Sequence, residues 1–155
     1  MFYELKEKTN NGEILDFNCF KNKVVLIVNS SSKSLFEKQL ISLQKLYDNF
    51  KNLDFEIICF PSGQFNKEFR YNEVISKYYK LNYNISFILG NKIKVNGKKS
   101  SSVFKFLKNE KKGLFGKSIK SDFTKFLIDK NGNVIKRYSP IKTYKTIEKD
   151  IMKLL

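Results

Sequence analysis

Ser34 stands where a side chain could react. It follows the apolar run Val24-Val25-Leu26-Ile27-Val28 after a polar turn, Asn29 to Lys33. It also opens a segment in which Phe36, Leu40, Leu43, Tyr47 and Phe50 recur at helical spacing. The continuous β-branched run reads as a strand buried on both faces. A strand feeding a helix through a tight turn presents the helix's first N–H groups at the sheet's end, where α/β proteins hold anions or reactive groups. A serine nucleophile needs a general base. The chain has no histidine, which excludes a Ser-His-Asp triad and the usual zinc sites. Ser34 and Glu37 also have the spacing of a capping box, which would stabilise a helix starting there by about 1 kcal/mol. A carboxylate at Glu37 would raise the pKa of a neighbouring thiol.

The two cysteines offer little more. Cys19 and Cys59 are a weak basis for a disulfide. Cys59 lies inside the apolar run Phe55-Glu-Ile-Ile-Cys-Phe60, where a small buried thiol, normally inert, is expected. Nothing in the pattern calls for a metal or a cofactor.

The charge is strongly one-sided: 30 basic residues against 15 acidic ones, a net +15 that favours polyanions. Only Arg70 and Arg137 are arginines, and arginine dominates specific base readout, so a sequence-reading nucleic-acid protein is disfavoured. Lysines concentrate between Val95 and Asp122, Lys117 and Lys120 among them, where an anionic ligand or surface would find them. The blander account is a solvated lysine face. No apolar run approaches the ~20 residues of a membrane span. Met1 to Leu5 lacks the pattern of a signal peptide, so the expected location is the cytoplasm.

Several elements must position these residues. Phe2 to Leu5 and Ile14 to Phe17 flank the hairpin turn Asn10-Asn11-Gly12. After the strand and helix come a second strand, Phe55 to Phe60, and a helix capped by Asn72 with Val74, Ile75, Tyr78 and Leu81 inward. A weak strand, Ile85 to Leu89, precedes a helix opening at Ser101 or Ser102. Phe123 to Ile128 and Val134 to Tyr138 form a hairpin across Asp129-Lys130-Asn131-Gly132. Tyr144, Ile147, Ile151 and Leu154 close the chain as an amphipathic helix. The order predicts one α/β domain over residues 1–155: a thioredoxin-like fold, its central mixed sheet flanked by helices on both faces, with an N-terminal β-hairpin.

Several segments resemble the glutathione peroxidase family. They are Val-Val-Leu-Ile-Val-Asn followed by Ser32-Lys33, Val95-Asn96-Gly97, Phe104-Lys105-Phe106-Leu107-Lys108, Phe123-Thr124-Lys125-Phe126-Leu127-Ile128-Asp129 and Arg137-Tyr138-Ser139-Pro140. They keep the family's order and spacing from Phe2 to Leu155, and the short length resembles its monomeric members.

The resemblance implies thiol-dependent reduction of hydrogen peroxide and lipid hydroperoxides, with glutathione or thioredoxin as reductant and no cofactor. It also implies the site. The family's peroxidatic cysteine or selenocysteine falls at Ser34, its glutamine at Gln64, and its tryptophan and asparagine at Ser121 and Asp122. The resolving cysteine of thioredoxin-dependent members falls at Tyr79 or a neighbour. Only Gln64 matches. Lys33, Lys117 and Lys120 would be the ligand-binding cations. Oxygen at position 34 has no counterpart to sulfur's oxidation ladder, so the expectation is a degenerate, inactive or weak peroxidase. The alternatives are a basic module for anionic ligands (glutathione-like thiols, lipid head groups or nucleic acid) and a residual peroxidase using Cys59.

Overall fold

The computed structural model describes residues 1–155. Its centre is β3 (Val24–Ser30), every residue of which is buried. Val24, Leu26 and Val28 face one core while Val25 and Ile27 face the other, because successive side chains of a strand point to opposite sides. On one flank β3 pairs in parallel with β4 (Phe55–Pro61), Val24 opposite Phe55. On the other it pairs antiparallel with β6 (Lys125–Ile128), Val28 opposite Lys125. The two-residue β5 (Ile88–Leu89) and β7 (Val134–Tyr138) form the edges of this mixed five-stranded sheet. The separate hairpin of β1 (Lys6–Lys8) and β2 (Ile14–Asp16) lies at the N-terminus.

Helices cover both faces, as the element order predicts. On one side α1 (Gln39–Phe50), α2 (Asn72–Tyr83) and α4 (Tyr144–Leu154) bury Leu40, Leu43, Ile75, Tyr79, Ile147 and Ile151 against the sheet. On the other, α3 (Ser102–Glu110) buries Val103, Phe104 and Leu107. Each fully buried aliphatic of this kind contributes about 1.5–3 kcal/mol. Ser101 and Thr143 accept hydrogen bonds from Val103 N and Thr146 N and so cap α3 and α4. Gly90 follows β5 because nothing larger fits: a Cβ there would lie 2.2 Å from the Phe60 ring.

Four local expectations are corrected. Phe2–Glu4 is a short 3₁₀ turn, and the first hairpin strand lies further along, at Lys6–Lys8, while the second starts at Ile14 as expected. The helix after β3 begins at Gln39 and not at Ser34. Its capping box is absent, since Glu37 accepts the Tyr78 hydroxyl while Ser34 Oγ accepts Phe36 N at 3.0 Å. Asn72 is the first residue of α2 and not its cap, its Oδ1 accepting from Lys92 N at 2.7 Å. Of the inward set expected on α2, Val74 and Leu81 are exposed, and Tyr79 is buried in their place.

Candidate functional site

The site is the end of β3 and the loops that gather there. Ser31, Ser32 and Ser34 are all buried, while Lys33 and Leu35 point outward. What fills the turn is a carboxylate. Glu68 Oε2 accepts Ser32 N at 2.9 Å, and Oε1 accepts both the Ser32 hydroxyl and Phe69 N. One N–H of the turn, that of Ser32, is therefore taken by the chain's own glutamate. Lys33 stacks over the Phe69 ring, its Nζ 4.4 Å from the centroid.

A chain of hydroxyls runs inward from Glu68. Tyr79, fully buried, donates to Glu68 Oε2 at 3.5 Å and lies 2.6 Å from Ser30 Oγ, which accepts the Cys59 thiol at 3.1 Å. Burial raises the Tyr79 hydroxyl well above its ordinary value. It also pushes the Cys59 thiol up to about 12, since the thiolate would be desolvated and would sit near Glu68. Cys19, the other sulfur, is exposed in the 3₁₀ turn that leads into the start of β3. The seven residues of β3 put it roughly 20 Å from the turn at Ser34.

Asp122 approaches from the loop before β6. It is fully buried, its Oδ2 accepts Asn66 Nδ2 at 2.7 Å, and its Oδ1 has no partner. Burial first, and then the Glu68 charge, raise its pKa, against the lowering effect of the Asn66 bond. The loop is stapled to β3: Phe123 N donates to Asn29 O at 2.6 Å, and Asn29 Nδ2 donates to Ser121 O at 3.2 Å. Those bonds hold Phe123 at φ +64°, a left-handed conformation that costs a non-glycine residue about 1–2 kcal/mol.

Of the other expected site residues, Ser121 is tied to β3 by the Asn29 bond, while Gln64, Lys117 and Lys120 make their side-chain hydrogen bonds with other segments. Gln64 is exposed, and its carboxamide bonds the Val95–Asn96 segment, with one of its two N–H groups left over. Oε1 accepts Val95 N and Asn96 N at 2.6 and 2.9 Å, while Nε2 donates to Asn96 O at 3.0 Å. Lys117 donates to Asn109 and Lys120 to Ser118. Ser121 is half-buried and its carbonyl holds Asn29 and Thr124. Three contributors escaped sequence reasoning: Glu68, Asn66 and Ser30. No local pattern marks the first two, which sit in an irregular loop.

The glutathione peroxidase family model matches residues 2–108. The chain is 42% identical over 155 residues to a glutathione peroxidase of Lactococcus lactis, covering 99% of both proteins. The chain belongs to the glutathione peroxidase family. It is also 42% identical to the glutathione peroxidase-like peroxiredoxin 2 of Saccharomyces cerevisiae, over 99% of this chain and 96% of that one. Among solved structures, Trgpx in its apo form matches with a TM-score of 0.83 at 32% identity, over 99% of this chain and 94% of that one. A thioredoxin family thiol:disulfide interchange protein from Chlorobium tepidum matches at TM-score 0.74 and 11% identity, over 96% of this chain and 91% of that one. That last likeness shows the thioredoxin-like fold alone.

For this glutathione peroxidase family chain the site geometry sets limits on chemistry. The turn after β3 carries hydroxyls and no sulfur, and the Ser32 N–H and hydroxyl are taken by Glu68. No group of three or more His, Cys, Asp or Glu side chains is placed to hold a metal, and no helix is long and apolar enough to cross a membrane.

Proposed function

We propose that this chain keeps the glutathione peroxidase scaffold without the peroxidase reaction. The observation that supports the reading is the hydroxyl of Ser34 at the position the resemblance assigns to the peroxidatic residue, in a turn already occupied by Glu68. Peroxide reduction begins with attack of a thiolate or selenolate on the O–O bond. It needs a chalcogen whose pKa has been lowered by nearby donors or cations. Serine oxygen stays protonated at neutral pH and cannot pass through the sulfenic state. Neither cysteine offers a substitute: Cys59 is buried with its thiol held protonated, and Cys19 lies at the far end of β3. The changes extend past Ser34. Asp122 brings a second carboxyl toward the turn, and the Gln64 carboxamide bonds Val95 and Asn96.

The test is a peroxidase assay of the pure protein with glutathione and with thioredoxin, against hydrogen peroxide and a lipid hydroperoxide. The expected result is no consumption above the protein-free rate. Sustained thiol-dependent turnover refutes the reading.

A second reading, a basic module for anionic ligands, is favoured by how little of the positive charge is neutralised. With 30 basic residues, only four ion pairs form, and one of these uses the N-terminal amine. Binding to a polyanion such as heparin is expected to weaken as salt is added; salt-independent binding would contradict it.

A further inference from the structure

Beside the site, the Lys111–Ser121 loop and the Ser139–Lys142 turn enclose a cavity of about 550 Å³ that the chemistry above does not use. Its volume falls within the ~300–1,000 Å³ typical of small-molecule sites. Three apolar side chains at its mouth are almost bare: Leu114, Phe115 and Ile141 are 91%, 81% and 80% exposed. Large apolar groups gathered around one opening mark a binding surface more often than chance exposure does. Ser121 and Thr124 line the inner side, leaving it open where a larger residue at 121 would fill it.

The wall is built, not incidental. Arg137 donates to the carbonyls of Lys111, Lys117 and Ser118 at 3.2, 2.7 and 2.8 Å and so wraps the loop around its guanidinium. Gly113 packs on that group so closely that a Cβ would lie 3.1 Å from it. The charge around the cavity has one sign. Lys120, Arg137 and Lys142 line it, no lining residue is acidic, and none of the three forms an ion pair. Arg137 is spent on carbonyls. Lys120 donates only to the Ser118 hydroxyl, so it and Lys142 remain available to an anion.

We infer that this cavity binds a small organic anion with an apolar body, a carboxylate or sulfonate carried on a ring or a short chain. Its apolar part covers Leu114, Phe115 and Ile141, and its charge meets Lys120 and Lys142. This names the ligand class and the place for the binding reading above, and it holds whether or not peroxidase activity is absent.

The probe is 1-anilinonaphthalene-8-sulfonate, followed by its fluorescence, with decanoate as competitor. Saturable binding displaced by decanoate is expected. Ser121→Trp, which fills the inner wall, and Phe115→Ser, which strips the mouth, are each expected to weaken it by about tenfold or more, the worth of one lost apolar contact surface. Lys120→Glu and Lys142→Glu should each weaken it about two- to fivefold, the scale of an exposed ion pair. Far-UV circular dichroism checks the fold of Ser121→Trp. Phe115, being exposed, decides the matter if that variant does not fold. No saturable binding by the wild type, or binding unchanged by Phe115→Ser and by both lysine variants, overturns the inference. So does sedimentation of the protein with phosphatidylglycerol vesicles without displacement of the probe by decanoate, which would point to a membrane surface instead. A positive peroxidase assay would leave these results untouched.

Discussion

Removing the ammonium of Lys125 should change how stability depends on pH. Lys125 is fully buried on β6, and no carboxylate pairs with it. Its Nζ donates to the carbonyls of Phe123 and Pro140 at 2.8 and 3.4 Å and stands 5.2 Å from the centre of the Tyr144 ring. Gln39 ties the same place together, donating to Pro140 O and accepting the Tyr144 hydroxyl, both at 2.8 Å. Burial brings the ammonium down to about 7, whereas in the unfolded chain a lysine titrates near 10.4. The gap of roughly three pH units corresponds to about 4–5 kcal/mol. The sign follows from the protons. Between pH 7 and 10 the unfolded chain holds a proton that the folded chain has released, so stability rises with pH there and falls as pH drops toward 7. Cys59 acts oppositely from about pH 8.5 upward, because its thiol stays protonated in the fold to about 12 while the unfolded thiol ionises. Comparison with Lys125→Met cancels the cysteine and leaves the lysine. Urea unfolding at pH 7.5, 8.5 and 9.5, followed by circular dichroism, should show wild type gaining on the variant by about 1.4 kcal/mol per pH unit. A constant difference across that range would refute a desolvated, titrating Lys125.

Four further outcomes follow from the same structure. In a Cys19→Ser background, the thiol of Ser34→Cys should titrate at or above the ordinary value of about 8.5 when its alkylation by iodoacetamide is followed against pH. Adding Glu68→Gln should lower it, and a Ser34→Cys thiol already ionised at neutral pH would contradict the role given to Glu68. Ser30→Ala leaves the buried Tyr79 hydroxyl and Cys59 thiol without their shared partner and should cost about 2–4 kcal/mol in urea unfolding. Gly90→Ala drives a methyl into the fully buried Phe60 ring and should cost at least ~1–3 kcal/mol, read as a lowered unfolding midpoint. Raising sodium chloride from low to high concentration should raise the thermal midpoint, because it screens the self-repulsion of a chain with net charge +15.

What could be read in advance divides along a physical line. β3 was legible because both of its faces are buried, so no residue from Val24 to Val28 could be polar. β7 and the Asp129–Gly132 turn were legible because the turn is local: Asp129 Oδ1 accepts from Asn131 N and Asn133 N, both at 2.9 Å. The start of α1 was not, because its outcome is set from a distance. Glu37 has the spacing to cap a helix at Ser34, but the Tyr78 hydroxyl, 41 positions away, takes its carboxylate. The inward face of α2 misleads for the same reason. Val74 and Leu81 are the more apolar residues, yet the face that meets the sheet carries Ile75 and, one turn on, Tyr79, whose hydroxyl finds Ser30 on β3. The site repeats the pattern at its most consequential residue. Gln64 has the right identity at the position the family resemblance assigns, but its oxygen is occupied by Val95 N and Asn96 N and one of its two N–H groups by Asn96 O, which leaves it a single N–H. Glu68, with no sequence signal at all, takes the Ser32 N–H and hydroxyl in the turn. Matching residues locate the site; the hydrogen bonds each has already made decide what chemistry is left to it.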